Sequence, residues 1–331
     1  MRKKQYAVII SVIGFAVVIA FLFINRYLSE RKTEQQFLSE VFYTRQYYVA
    51  DEKTARKILR LQGELLRSQC EENEVREIER ELEKAYGIEA VNLQDVDAET
   101  ADAIRTACLY MFTKYPVLHS YLTNITVQDD ISERSDAIAK YENFMFLTNP
   151  DETELYPFVI KNQILLRRRE FANRERLENL IKRNIDNGFW SEGTSIESIM
   201  VHELSHALVD CIISSQYGLG NSIYITESNA DAFSQCNMQD LASNQEFAQS
   251  LCRKAYAQYC KDYSNEDSYE EFCMQISGYG VALQEDGGIA YEETIAEAVA
   301  DVYLHGEDAG IPSKLISSEL DKAIEAQQTT Y

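Results

Sequence analysis

Met200-Val201-His202-Glu203-Leu204-Ser205-His206-Ala207-Leu208 is the stretch on which the reading of this chain turns. An α-helix advances about 100° per residue, so His202 and His206 fall one turn apart on a single face and can aim both imidazoles at one metal ion. Glu203 lies on the neighbouring edge of that face, where a carboxylate can accept a proton from a metal-bound water. The flanks Ser195-Ile196-Glu197-Ser198-Ile199-Met200-Val201 and Ala207-Leu208-Val209 are helix-compatible and largely apolar, as a ligand helix running through a core must be. The competing reading is two histidines on an ordinary helix, and what decides between them is a third ligand.

Two histidines do not complete a catalytic zinc site; a third protein ligand must come from elsewhere, leaving a fourth position for water. Two downstream glutamates compete. In Tyr291-Glu292-Glu293-Thr294-Ile295-Ala296-Glu297-Ala298-Val299-Ala300-Asp301, acidic residues at 293, 297 and 301 recur at i, i+4 and i+8. Carboxylates stacked on one face repel unless something positive sits beside them. Zinc on Glu293 accounts for the stack, with Glu297 and Asp301 as acceptors that orient ligand histidines. The rival is Glu227 in Glu227-Ser228-Asn229-Ala230-Asp231-Ala232-Phe233.

The 331 residues hold 54 Asp and Glu against 32 Lys and Arg, a net charge of −22. The first 32 residues are basic at +5, so the remainder carries −27, which repels phosphate backbones and argues against a nucleic-acid partner. Residues 6–24 form an uncharged, mostly apolar run after Arg2, Lys3 and Lys4, long enough to span a bilayer as a helix. No small-x-small cleavage site follows it, so an uncleaved single-pass anchor is expected rather than a signal peptide. A tail of a few residues before the span stays in the cytoplasm, placing the main domain on the extracytoplasmic side of the cell membrane. Seven cysteines, an odd number with no CxxC, indicate neither a disulfide scaffold nor a cysteine zinc knuckle; free buried thiols are expected.

The order of elements predicts an α+β architecture, mostly helical with a small mixed sheet. Residues 1–27 read as the anchor. Residues 28–90, rich in Glu, Arg, Gln and Leu, read as a helical stalk. Residues 91–306 read as the main domain, with a helix over 97–113, strand-like runs at 125–127, 137–147 and 158–167, and a helix over 170–187 closed by Gly188. Residues 307–331 read as a helical tail. Of the other histidines, His119 fits no ligand spacing and reads as structural. His305 is a secondary candidate for stabilising an oxyanion, set against a plain helix C-terminal histidine.

Taken together, Phe189-Trp190-Ser191-Glu192-Gly193-Thr194, His202-Glu203-Leu204-Ser205-His206-Ala207-Leu208, Ile276-Ser277-Gly278-Tyr279-Gly280 and Glu293-Thr294-Ile295-Ala296-Glu297 resemble the zinc-metallopeptidase domain of the anthrax lethal factor type. Similar domains occur in phage head-morphogenesis and minor capsid-like proteins of bacteria. The resemblance covers roughly residues 95 to 306. It implies a zincin-like, gluzincin-type domain in which His202, His206 and Glu293 bind Zn2+ and Glu203 is the general base. It also implies that Tyr279 directs its hydroxyl at the substrate carbonyl. The chain departs from the pattern in a longer segment between Tyr279 and the Glu293 helix, and in Ser205 where that family often has Gly. A second resemblance, through Glu227, Ala230 and Phe233, is to metallopeptidases that cleave phage-type repressors, and it leaves the Glu293 helix unexplained. The expected activity is hydrolysis of protein or peptide substrates by a membrane-anchored zinc peptidase. The alternatives are a catalytically silent zinc-binding interaction module and a helical protein in which HExxH is accidental.

Overall fold

The structure is a computed structural model and describes residues 74–129, 131, 137–147, 157–216, 245–263, 266–281 and 289–328. The expected anchor, most of the expected stalk and Glu227 lie outside these residues. Among the described residues no helix is long and apolar enough to cross a membrane. They form a mostly helical α+β arrangement with one four-stranded mixed sheet.

The first described helix, α1 (Glu74–Tyr86), buries Val75, Ile78 and Leu82 at helical spacing, carries Glu74 and Glu77 in its first turn and Lys84 in its last, and so matches the helix dipole at both ends. It ends at Gly87, whose φ of 70° is left-handed and where a Cβ would sit 2.4 Å from Ser120 Oγ. Two of its carboxylates fasten it to the next element: the Leu93 N–H donates to Glu79 Oε1 at 2.7 Å and the Val91 N–H to Glu83 Oε1 at 2.8 Å. The domain therefore begins at or before Glu74, ahead of the expected boundary at residue 91, which falls inside strand β1 (Ala90–Asn92). Within residues 74–86, expected to belong to a stalk, the apolar face of Val75, Ile78 and Leu82 is a core face.

Strand β1 runs parallel to β2 (Asn124–Gln128), and α2 (Ala98–Lys114) makes the crossover that a parallel pair requires. Asp97 caps α2 by accepting from the Thr100 N–H at 2.9 Å. Beyond β2 the sheet continues with β4 (Pro157–Arg167), parallel to β2, and then β3 (Ala139–Leu147), antiparallel to β4, giving the order β1-β2-β4-β3 with β3 at the edge. Alternation divides the sheet: Val91, Ile125, Val127, Ile164 and Leu166 share one face, and Tyr141 joins them because it is paired with Ile164. The three predicted strand runs correspond to β2, β3 and β4. The predicted helix over 170–187 is broken into α3 (Arg168–Phe171) and α4 (Arg174–Asp186), the latter capped by Asn173 and closed by Gly188 at φ 68°.

Helix α5 (Ile196–Gln216) carries the HExxH stretch and is buried almost all round, the pattern of a central helix. It packs between α2, the edge strand β3 and α8 (Tyr291–His305). Ala296, Ala298 and Ala300 are the small buried residues on α8. Behind α8 lie α6 (Gln245–Asp262), α7 (Tyr269–Met274) and α9 (Ile311–Gln328). Helix α9 buries Ile316, Leu320 and Ile324 against this layer, so the expected tail is part of the core. The five described cysteines, Cys108, Cys211, Cys252, Cys260 and Cys273, are free thiols; burial pushes Cys108 up to about 12, which makes it unreactive.

Candidate metal centre

The site lies where α5 and α8 run side by side. His202 Nε2 stands 3.0 Å from Glu293 Oε2 and 3.2 Å from His206 Nε2, and His206 Nε2 is 3.4 Å from the same Glu293 oxygen. Three donor atoms from residues 91 positions apart in the chain thus converge on one point, the only such His/Cys/Asp/Glu group among the described residues. A tetrahedral zinc with bonds of about 2.0–2.1 Å separates its ligand atoms by about 3.4 Å, so the observed spacing matches what that ion needs. The electrostatics agree with the geometry. Burial alone would raise the Glu293 carboxyl, yet the His206 and His202 imidazoles outweigh it and hold the group well below the ordinary carboxylate range. Burial likewise disfavours protonated His202 and His206, but Glu293, joined at His202 by Glu297, pushes both imidazoles up. The triad is a preformed pocket for positive charge.

Around it, one member of the triad is held from behind. His202 turns its Nδ1 to Glu297 Oε1 at 2.8 Å, which leaves Nε2 as the metal-facing nitrogen. Glu297 therefore stands behind His202, at the place expected for an orienting acceptor. Asp301 does not: its Oδ1 takes His305 Nδ1 at 2.7 Å and its Oδ2 accepts the Gly310 N–H at 3.1 Å, fastening the end of α8 rather than a ligand histidine. His305 sits at that end beside Gly193, with its Nε2 3.6 Å from where a Cβ there would be, and it is not among the residues lining the cleft. His119 packs against the Tyr86 and Phe112 rings with Nε2 3.3 Å from the Phe112 carbonyl oxygen, away from the site.

Glu203 is buried, and its Oε2 accepts the Tyr141 N–H of edge strand β3 at 2.6 Å. Burial raises its carboxyl, with the two histidines pulling the other way. Tyr279 opens a short 3-10 turn (Tyr279–Val281) and is half-buried, its ring 6.0 Å from the His202 ring and 5.1 Å edge-on from Phe189. The turn is fixed from both sides. Thr294 Oγ1 on α8 donates to the Gly280 carbonyl at 2.8 Å, and a Cβ at Gly278 would stand 2.5 Å from the Gly188 carbonyl oxygen. Only glycine allows that approach, and it brings the Phe189-Trp190 loop and Tyr279 to one wall.

One buried group escaped the sequence reading. Asp210, four residues after His206, accepts from Tyr141 Oη at 2.9 Å and from Asn143 Nδ2 at 2.8 Å, so α5 grips β3 at three points along one face. Burial pushes its carboxyl up to about 7 despite those two donors. The available signal was an acid inside the apolar run Ala207-Leu208-Val209-Asp210-Cys211-Ile212. His202, Glu203, His206, Tyr279 and Glu293 all line one cleft of about 1430 Å³. Comparison of the chain with protein-family models, curated proteins and solved structures finds no match.

Proposed function

We propose that this chain is a zinc-dependent peptidase. The observation that carries the reading is the convergence of His202, His206 and Glu293 at zinc-ligand spacing with Glu203 on the adjacent edge of the same cleft. Bound there, zinc supplies Lewis acidity, bringing the pKa of a water towards about 7 and polarising a substrate carbonyl. Glu203 takes the proton of the attacking water and passes it to the leaving amine. Its Oε2 is anchored by the Tyr141 N–H, which fixes the carboxylate and leaves Oε1 for the transfer. Glu297 holds His202 in the tautomer that presents Nε2. Tyr279 donates its hydroxyl to the carbonyl oxygen as negative charge develops on it. β3 borders the cleft, and an extended peptide lies beside it, pairing away from Tyr141, whose N–H is taken by Glu203.

The motifs at 189–194, 202–208, 276–280 and 293–297 support a zincin-like domain of the lethal factor type, and residues 6–24 support a membrane anchor that places it on the extracytoplasmic side. The test is metal analysis and peptide-library digestion of the purified chain beside Glu203→Gln. About one zinc per chain in both, with cleavage by the parent alone, supports the enzyme. Zinc in both without cleavage supports a silent interaction module, and no zinc in either removes both readings.

A further inference from the structure

Resting on the peptidase reading, we propose that the cleft selects substrates carrying an acidic side chain, bound on the α4 wall by Arg183 with Arg176 and Arg169. The chain as a whole is at −22, yet residues 167–186 hold seven Lys and Arg against four Asp and Glu. The cations of this segment that do not line the cleft are paired: Arg168 with Asp95 and Asp129, Arg174 with Glu99 and Glu178, Lys182 with Asp186. Of the cations that line the cleft, Arg169, Arg176 and Arg183 are not matched in the same way. Arg169 and Arg176 share the single buried carboxylate of Glu170, at 3.8 and 3.4 Å. Arg183 is exposed and has no ion-pair or side-chain hydrogen-bond partner among the described residues.

Helical spacing places these groups together. Arg176, Asn179, Leu180 and Arg183 recur at i, i+3, i+4 and i+7, one face of α4, and all four line the cleft. Counting Glu175 at the start of the helix as the other acid on this wall, Arg169, Arg176 and Arg183 still exceed Glu170 and Glu175 by one charge. Across the cleft Lys140 and Glu142 neutralise each other at 3.1 Å. The floor is acidic around Glu203, Glu292 and Glu297. The α4 wall is therefore where the cleft carries positive side chains, and an acidic substrate side chain held there fixes the register of the peptide as well as its charge.

The test uses the zinc-loaded full chain and a peptide library whose cleaved members are identified by mass, followed by matched peptides differing only by Glu, Gln or Lys at the selected position. The Glu peptide is expected to show a kcat/KM about three- to tenfold above its Gln partner, shrinking as salt rises. Arg183→Gln brings that ratio towards one, and Arg183→Glu inverts it in favour of Lys; Arg183 is exposed, so both variants keep the fold, checked by circular dichroism. Cleavage with equal rates for Glu and Gln peptides, or a ratio unmoved in both variants, overturns this inference alone. Absence of any cleavage with zinc bound overturns the peptidase reading and this inference with it.

Discussion

Removing the Glu297 carboxylate tests whether the α5–α8 junction is a metal site at all, without touching a ligand. Its Oε1 lies 2.8 Å from His202 Nδ1, and the two side chains are only 12% and 13% exposed, so the contact is a largely desolvated, charge-assisted hydrogen bond. Such a bond contributes about 1.5–3 kcal/mol. Carboxylates behind zinc-bound histidines change metal affinity by about 10- to 100-fold, or about 1.4–2.7 kcal/mol, which is the same range reached independently. Glu297→Ala should therefore weaken zinc binding by one to two orders of magnitude. Glu297→Gln keeps an acceptor for Nδ1–H but removes the charge, and should fall between the parent and Ala. Competition against a chromophoric chelator at fixed pH reads the affinity, and circular dichroism checks that α8, whose buried face is Ile295, Ala296, Ala298 and Val299, is intact. An Ala variant that binds zinc within twofold of the parent would refute the assignment of His202 Nε2 as a ligand nitrogen.

Glu203→Gln should retain zinc and lose about 10²- to 10⁴-fold in kcat, read as product formation by mass; undiminished turnover would remove Glu203 as the proton carrier. Glu293→Ala should lose zinc more than tenfold while Glu227→Ala retains it, measured by metal content after dialysis, and the reverse result would move the third ligand to the segment around Glu227. Asp210 has its carboxyl raised to about 7 from an ordinary value near about 3.9, so the stability it lends is present at low pH and is lost as pH rises through 7. Asp210→Asn should therefore gain stability relative to the parent as pH rises from about 4 to about 7 and gain little more above that, seen as a shift in urea midpoints with chelator present in both; a difference independent of pH would contradict the buried, proton-holding carboxyl.

How much of this was legible in the sequence depends on the range over which each signal acts. The two histidines and Glu203 are set by spacing within one helix, and their convergence needs nothing from outside it. The candidate third ligand was legible for a less direct reason: carboxylates at 293, 297 and 301 demand a compensating charge. Other features depend on partners that no local pattern names. The apolar stripes of α1 and α9 look alike whether they face solvent-side neighbours, a second chain or the core, and β1 is three residues long, below what alternation can mark. Asp210 is recognisable only once β3 brings Tyr141 and Asn143 to it.

The division of labour between Glu297 and Asp301 shows where periodicity stops. Residues at i, i+4 and i+8 share a face, which makes all three carboxylates of α8 equal candidates for the same histidines. A helix also rises about 1.5 Å per residue, so Glu297 stands about 6 Å from the level of Glu293 and Asp301 about 12 Å. An imidazole spans the first distance, presenting one nitrogen to each of Glu293 and Glu297, as His202 does at 3.0 and 2.8 Å. It cannot span the second. Asp301 therefore takes the partners available at its own height, His305 one turn on and the Gly310 N–H, and closes the C-terminal end of the helix. That closure joins α8 to α9 and supports the metal face only through the rigidity of the rod that carries Glu293.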